Sequence, residues 1–270
     1  MRLRIAHSSV YRYDPPAAGV IQVLRLTPRN HDGQYVEHWR IDVTPDARLN
    51  GHEDAFGNIC HVFTADGPLD ELTVEVDGVV ETQSTDGVVR GTVERFPPSL
   101  FLRDTALTAA DAPIREFAEN VRAASAANVL AALHGLLDRL HDSIAGERTD
   151  GDEAAASANA AEAFARKHAA PKDLAHIFIG AAHYLGIPAR FVGGYRHRGG
   201  KAAIDTAHAW VEAYVPDLGW VGFDPSIGYC PTDGHIRIAI GLDALGAAPV
   251  RGTLLGGGAE TLAVAITVDQ

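Results

Sequence analysis

The chain has 270 residues, 46% of them hydrophobic and 21% charged, the make-up of a folded globular protein and not of a disordered, collagen-like or disulfide-stapled chain. Its 23 Lys and Arg against 35 Asp and Glu give a formal net charge of -12, the wrong sign for gripping phosphate backbones, so nucleic acid is not an expected partner. Two cysteines, Cys60 and Cys230, are too few for a disulfide framework or a cysteine zinc site, and no run reaches the roughly 18 to 20 apolar residues that span a bilayer, so a cytoplasmic protein with no membrane association is expected.

From Arg2 to about Glu81 the pattern is strand-like, with apolar runs or alternation in Leu3 to Ile5, Val20 to Leu24, Val36 to Val43 and Leu72 to Val76. Between these runs, Asp32-Gly33, Pro45-Asp46, Phe56-Gly57-Asn58 and Asp66-Gly67-Pro68 carry turn chemistry, because Gly, Asn and Asp tolerate positive φ and Pro fixes φ. Residues 1–85 are therefore expected to form an antiparallel β domain of sandwich or barrel type.

After Phe96-Pro97-Pro98 the composition shifts to Ala and Leu at helical spacing. Ile114, Phe117, Ala118 and Val121 share one helix face, as do Val129, Leu133, Leu136, Leu137 and Leu140, which marks 86–160 as a helical segment. Thr149 to Ser157 reads as a loop, followed by a helix through Ala160 to Arg166. An apolar helix is predicted from Asp173 to Tyr184, stopped by Gly186 and Pro188. Strands are predicted at Ala189 to Tyr195, Ala207 to Val215, Trp220 to Phe223 and Glu260 to Val268, with Arg251 to Gly258 as a Gly-rich connector, all within a unit spanning 161–270.

The functional signal lies between Pro171 and Gly228. Asp173-Leu174-Ala175-His176, Leu185 to Tyr195, Ala207-His208-Ala209-Trp210-Val211-Glu212 and Gly219-Trp220-Val221-Gly222-Phe223-Asp224-Pro225 resemble the bacterial transglutaminase-like proteins, which are related in fold to papain-type cysteine proteases. The flanking His7, Tyr11, Tyr13, Trp39 and Phe56-Gly57-Asn58 are similar to the β domain that precedes the catalytic domain in many of them. The resemblance implies an α+β protein: an N-terminal antiparallel β domain followed by a papain-like core of helices packed on an antiparallel sheet.

Chemistry in that family uses a Cys at a helix N-terminus, a facing His and an Asp that holds the imidazole; the helix end and the His lower the thiol pKa so that a thiolate attacks a carboxamide. The resemblance assigns the His position to His208 and the Asp position to Asp224, and it aligns Pro171 with the nucleophile. Proline suits the first helical turn, but it supplies neither a sulfur nor the main-chain N–H that helps bind an oxyanion, a donor worth about 3 kcal/mol. The expectation is a catalytically silent protein with a His/Asp pair, binding a peptide or amide-containing ligand or acting as a scaffold. Asp173, His176, Tyr195, Trp210 and Trp220 are candidate binding residues, and a protein partner or a second copy is a possible associate. The alternative is an amidase or peptidase working through Cys230, or through water activated by His208 and Asp224.

Six histidines, His168, His176, His183, His197, His208 and His235, fall between residues 161 and 270. His176 and His183, seven residues apart on one helix, lie about 10 Å apart and cannot share an ion, and no His-x-x-x-His spacing occurs. No metal and no cofactor is expected.

Overall fold

Alternation dictates the first element: β1 (Arg2–Thr27) buries Leu3, Ile5, His7, Ser9, Tyr11 and Tyr13 while Arg2, Arg4 and Arg12 face solvent. The computed structural model describes residues 1–125, 128–146, 159–199 and 207–270. After β1 come β2 (Gln34–Thr44), β3 (Asn50–Glu53), β4 (Ile59–Thr82) and the two-residue β5 (Val88–Val89). The middle of the chain holds α1 (Ala112–Ala124), α2 (Val129–Ser143), β6 (Ala145–Gly146), α3 (Ala160–Arg166), β7 (His168–Ala169) and α4 (Pro171–Tyr184). The remaining strands are β8 (Ala189–Arg196), β9 (Ala207–Val215), β10 (Gly219–Phe223), β11 (His235–Gly241), β12 (Val250–Leu255) and β13 (Ala259–Asp269).

β1 and β4 pair along nearly their full lengths, and the ladder slips between Arg12 and Ala17, where Pro15, Pro16 and Pro68 cannot donate to it. The sheet folds over at this irregularity. Tyr11 and Leu72 from one side of the bend share a core with Val20, Leu24 and Phe63 from the other, so a single sheet supplies both faces of a sandwich-like domain.

The second sheet runs β11-β8-β9-β10-β5, all antiparallel. One face carries α4, which is buried from Asp173 to His183 and surrounded by α1, α2 and α3, as expected for a helix that is apolar all round. Gly180 is required within it, because a Cβ there would stand 2.3 Å from the Thr108 carbonyl oxygen.

Two expectations are revised. The last strand was expected to complete the core unit, but β12 and β13 return to β1 of the first sheet. The driving force is the apolar row of β1: Ile266 and Val268 stand opposite His7 and Ile5 and are buried with them. The Gly-rich connector is strand as far as Leu255, and only Gly256 to Gly258 turn. The loop expected at Thr149 to Ser157 lies outside the described residues.

The two sheets are locked by side chains that imitate a strand. Along the open edge of β11, Gln34 Nε2 donates to the Arg237 carbonyl (2.9 Å) and Gln34 Oε1 accepts from its N–H (2.8 Å). Asn58 repeats the pattern at Ile240, with both bonds at 2.8 Å. The edge is thereby closed to other strands. Among the described residues no helix is long and apolar enough to cross a membrane.

Candidate functional site

His208 is the second residue of β9, and Asp224 follows the last residue of β10. The strands are joined by a tight turn in which Asp217 and Gly219 take positive φ, at 68° and 88°, so they pair directly and bring the two side chains together. His208 Nε2 donates to Asp224 Oδ2 at 2.5 Å, and both side chains are buried. His208 Nδ1 is buried with no hydrogen-bond partner.

A third residue completes the cluster. His235, first in β11, has its Nε2 3.2 Å from the same Asp224 oxygen. The Thr232 N–H donates to His235 Nδ1 at 3.0 Å, so Nδ1 is an acceptor and the ring proton resides on Nε2, where it points at Asp224. Asp224 Oδ1 accepts from the Ser226 N–H (3.0 Å) and hydroxyl (2.6 Å). Burial opposes ionisation of Asp224, but the hydrogen bonds from His208, His235 and Ser226 outweigh it and hold the carboxyl far below the usual range. Burial pulls His235 down, against the attraction of Asp224.

His208, Asp224 and His235 offer three ligand atoms within 4.8 Å of one another. The donor set suits a cation poorly, because the Thr232 N–H fixes His235 Nε2 as protonated and leaves no lone pair there to coordinate.

Trp210 lies alongside. Its ring is 5.4 Å from His235, edge to face, and 6.2 Å from His208. Gly194 makes this possible: a Cβ there would stand 2.8 Å from the Trp210 ring and 2.1 Å from the Ile236 carbonyl oxygen. Beside His235 and Trp210, a cavity of about 50 Å³ is lined also by His31, Glu212 and Arg237 among others, room for a few waters. A larger hollow of about 380 Å³ at Pro28, Arg29, Asn30, Val36 and Ile59 shares none of these residues.

Glu212, two positions along β9 from Trp210, accepts from Arg190 Nε (2.7 Å) and from Arg237 Nε and Nη2 (2.7 and 3.1 Å). Burial raises its pKa, but the two guanidiniums prevail and bring it down to about 2. Arg190 also clasps Glu94 and lies 3.9 Å over the Trp220 ring. This chain of charges ties β8, β9 and β11 together beneath the site.

The other sequence candidates are dispersed. Pro171 is the first residue of α4, whose inner face packs on β8 and β9. Asp173 is buried in the first turn of that helix, where its charge complements the dipole. His176 turns to the 241–244 segment, accepting from the Ala244 N–H at 3.1 Å, and burial brings its pKa down to about 4. Tyr195 is not brought to the pair; its hydroxyl bonds His7 Nδ1 at 2.7 Å across the seam between the two sheets. Trp220 is buried in a cluster with Phe101, Val192, Trp210 and Ile240. Cys230 sits against Gly87, and burial together with nearby Asp138 pushes its thiol pKa up, the opposite of an activated nucleophile. Cys60 is buried and also raised, to about 11.

Comparison with known proteins bears on family and fold. Residues 3–81 match the bacterial transglutaminase-like N-terminal region, and residues 115–225 match the transglutaminase-like superfamily core. The uncharacterised protein ML0607 of Mycobacterium leprae is 29% identical over 288 aligned residues, covering 100% of this chain and 99% of that one. YebA of Bacillus subtilis, also uncharacterised, is 42% identical over 55 residues, 16% of this chain and 8% of its own length. A solved structure of a candidate cysteine protease from Cytophaga hutchinsonii superposes with a TM-score of 0.77 at 17% identity, covering 100% of this chain and 90% of that one, which shows a shared fold. The chain therefore belongs to the transglutaminase-like superfamily, with the N-terminal β region and the core of its bacterial members.

Proposed function

We propose that this protein is a transglutaminase-like fold without its nucleophile, which binds a peptide or amide-containing ligand and does not turn it over. The observation that carries this reading is a complete His208–Asp224 pair whose other ring nitrogen, Nδ1, is buried with no hydrogen-bond partner and no nucleophile to act on. Pro171, at the first position of α4, has neither thiol nor N–H, and the thiol of Cys230 is made less acidic by its surroundings. With Nε2–H committed to Asp224, Nδ1 is an acceptor, and the N–H of a carboxamide admitted to this buried position is its chemical complement. The two free cysteines fit a reducing compartment, which makes the cytoplasm the proposed location.

The test incubates the purified chain with a glutamine-containing peptide, with and without an added amine, and follows ammonia release and peptide cleavage. No turnover is expected, while the His208 ring-nitrogen resonances shift as the peptide is added. Turnover lost in Cys230→Ala would assign the chemistry to that thiol. Turnover that survives this substitution but is lost in His208→Gln would assign it to activated water. Either result overturns the reading.

A further inference from the structure

We propose that β13 is a self-pairing edge, through which two copies of this chain join into one continuous antiparallel sheet about a two-fold axis at Val264. β13 runs along β1 from Arg4 opposite Asp269 to Asp14 opposite Ala259 with no slip in register. Among the described residues no strand takes its other side. The same chain closes the edge of β11 with Gln34 and Asn58, whereas the outer side of β13 is engaged at its end, where His197 Nδ1 meets the Val268 carbonyl at 2.7 Å.

From Thr261 to Val268 the strand contains no charge, no proline and no bulge, which are the devices that normally protect an edge. Its apolar row runs past its cover. Leu262, Val264, Ile266 and Val268 stand opposite Tyr11, Ser9, His7 and Ile5, all buried. Ile266 and Val268 are each 2% exposed, but Leu262 and Val264 are 42% and 38% exposed. The uncovered pair needs an apolar neighbour on the same face of an extended sheet.

The strand's own sequence supplies that neighbour. Antiparallel pairing centred on Val264 sets Leu262 across from Ile266 of the partner subunit and Val264 across from Val264 of the partner subunit, which keeps the apolar row on one face. The ladder spans Leu262 to Ile266, stops short of Val268, whose carbonyl His197 engages, and sets no carboxylate against another. An isologous contact of this kind closes at two copies and does not propagate.

Sedimentation equilibrium of the full chain tests the proposal. The wild type is expected to dimerise in the micromolar range, and Val264→Lys, which sets two ammonium groups face to face on the axis, is expected to weaken association about tenfold or more with unchanged circular dichroism. A second arm does not depend on that variant folding. In a Cys230→Ala background, Val264→Cys should oxidise to a covalent dimer, since directly opposed residues lie about 4.5 to 5.5 Å apart at Cα, while Leu262→Cys, displaced from the axis, should not. A wild type that is monomeric throughout the micromolar range, or cross-linking that is as efficient at position 262 as at 264, would overturn the proposal.

Discussion

His208 Nε2 and Asp224 Oδ2 are 2.5 Å apart in a site that buries both side chains. The carboxylate is the hub: two imidazole N–H groups converge on Oδ2 and two Ser226 donors on Oδ1. Asp224→Asn exchanges half of that acceptor for an amide that would face donors. We expect a loss of about 3 to 5 kcal/mol, as for breaking a buried pair, read by urea denaturation. A cost below about 1 kcal/mol would mean that the pair is solvated and contributes little.

Glu212 is the buried anion between Arg190 and Arg237. Glu212→Gln leaves two guanidiniums sharing one neutral acceptor and should cost at least about 3 kcal/mol. Glu94→Gln should cost less, because Glu94 is 33% exposed and water can replace it at Arg190. Thermal denaturation of the two variants gives the order, and equal losses would contradict it.

The seam between the sheets rests on the amides of Gln34 and Asn58. Asn58→Leu strips the partners from the N–H and C=O of Ile240, groups that cost about 1 to 3 kcal/mol each when left buried and unpaired. The Ile240 amide should exchange faster with solvent by tenfold or more, and unchanged protection would show that β11 needs no cap.

Acid should weaken the fold before the carboxylates titrate. Burial brings His7, His31 and His176 each down to about 4 from an ordinary 6.5. The unfolded chain therefore takes up protons on these groups as pH falls through 6.5, whereas the folded chain does not until about 4. Stability is full above that window and falls as pH drops through it, by roughly 1 to 3 kcal/mol per histidine. Below it the depressed carboxyl of Asp224 acts in the same sense. Urea midpoints across this range should fall steeply, and His7→Gln should flatten the curve. A flat wild-type profile would contradict the assignment.

Legibility followed how local each signal is. The helices at Ile114 to Val121 and Val129 to Leu140 carried their own periodicity, and α4 its own stop signal. His208 and Asp224 were readable because the residues around each are distinctive and the turn between their strands is short. His235 was missed as a member of the cluster. It returns through a fold in the chain at Asp224 to Tyr229 that no spacing rule announces, although the alternation of Ile236, Ile238 and Ile240 could have marked β11 as a strand. Tyr195 and Trp220, candidate binding residues in the sequence, are engaged elsewhere. Their partners, His7 and Arg190, come from a strand of the other sheet and from a strand two places away in the same sheet, and only tertiary register pairs them. The destination of β13 was equally illegible, since period-2 alternation states that a strand has two faces and not which sheet receives it.

Everything about the site turns on what stands at the first residue of α4. The most direct measurement is the thiol pKa of Pro171→Cys, followed by ultraviolet absorbance or by alkylation rate against pH. If His208 and the helix N-terminus still face that position, the new thiol should titrate well below the free value of about 8.5, with the shift diminished in the His208→Gln background. A thiol titrating at or above that value, indifferent to His208, would contradict the account.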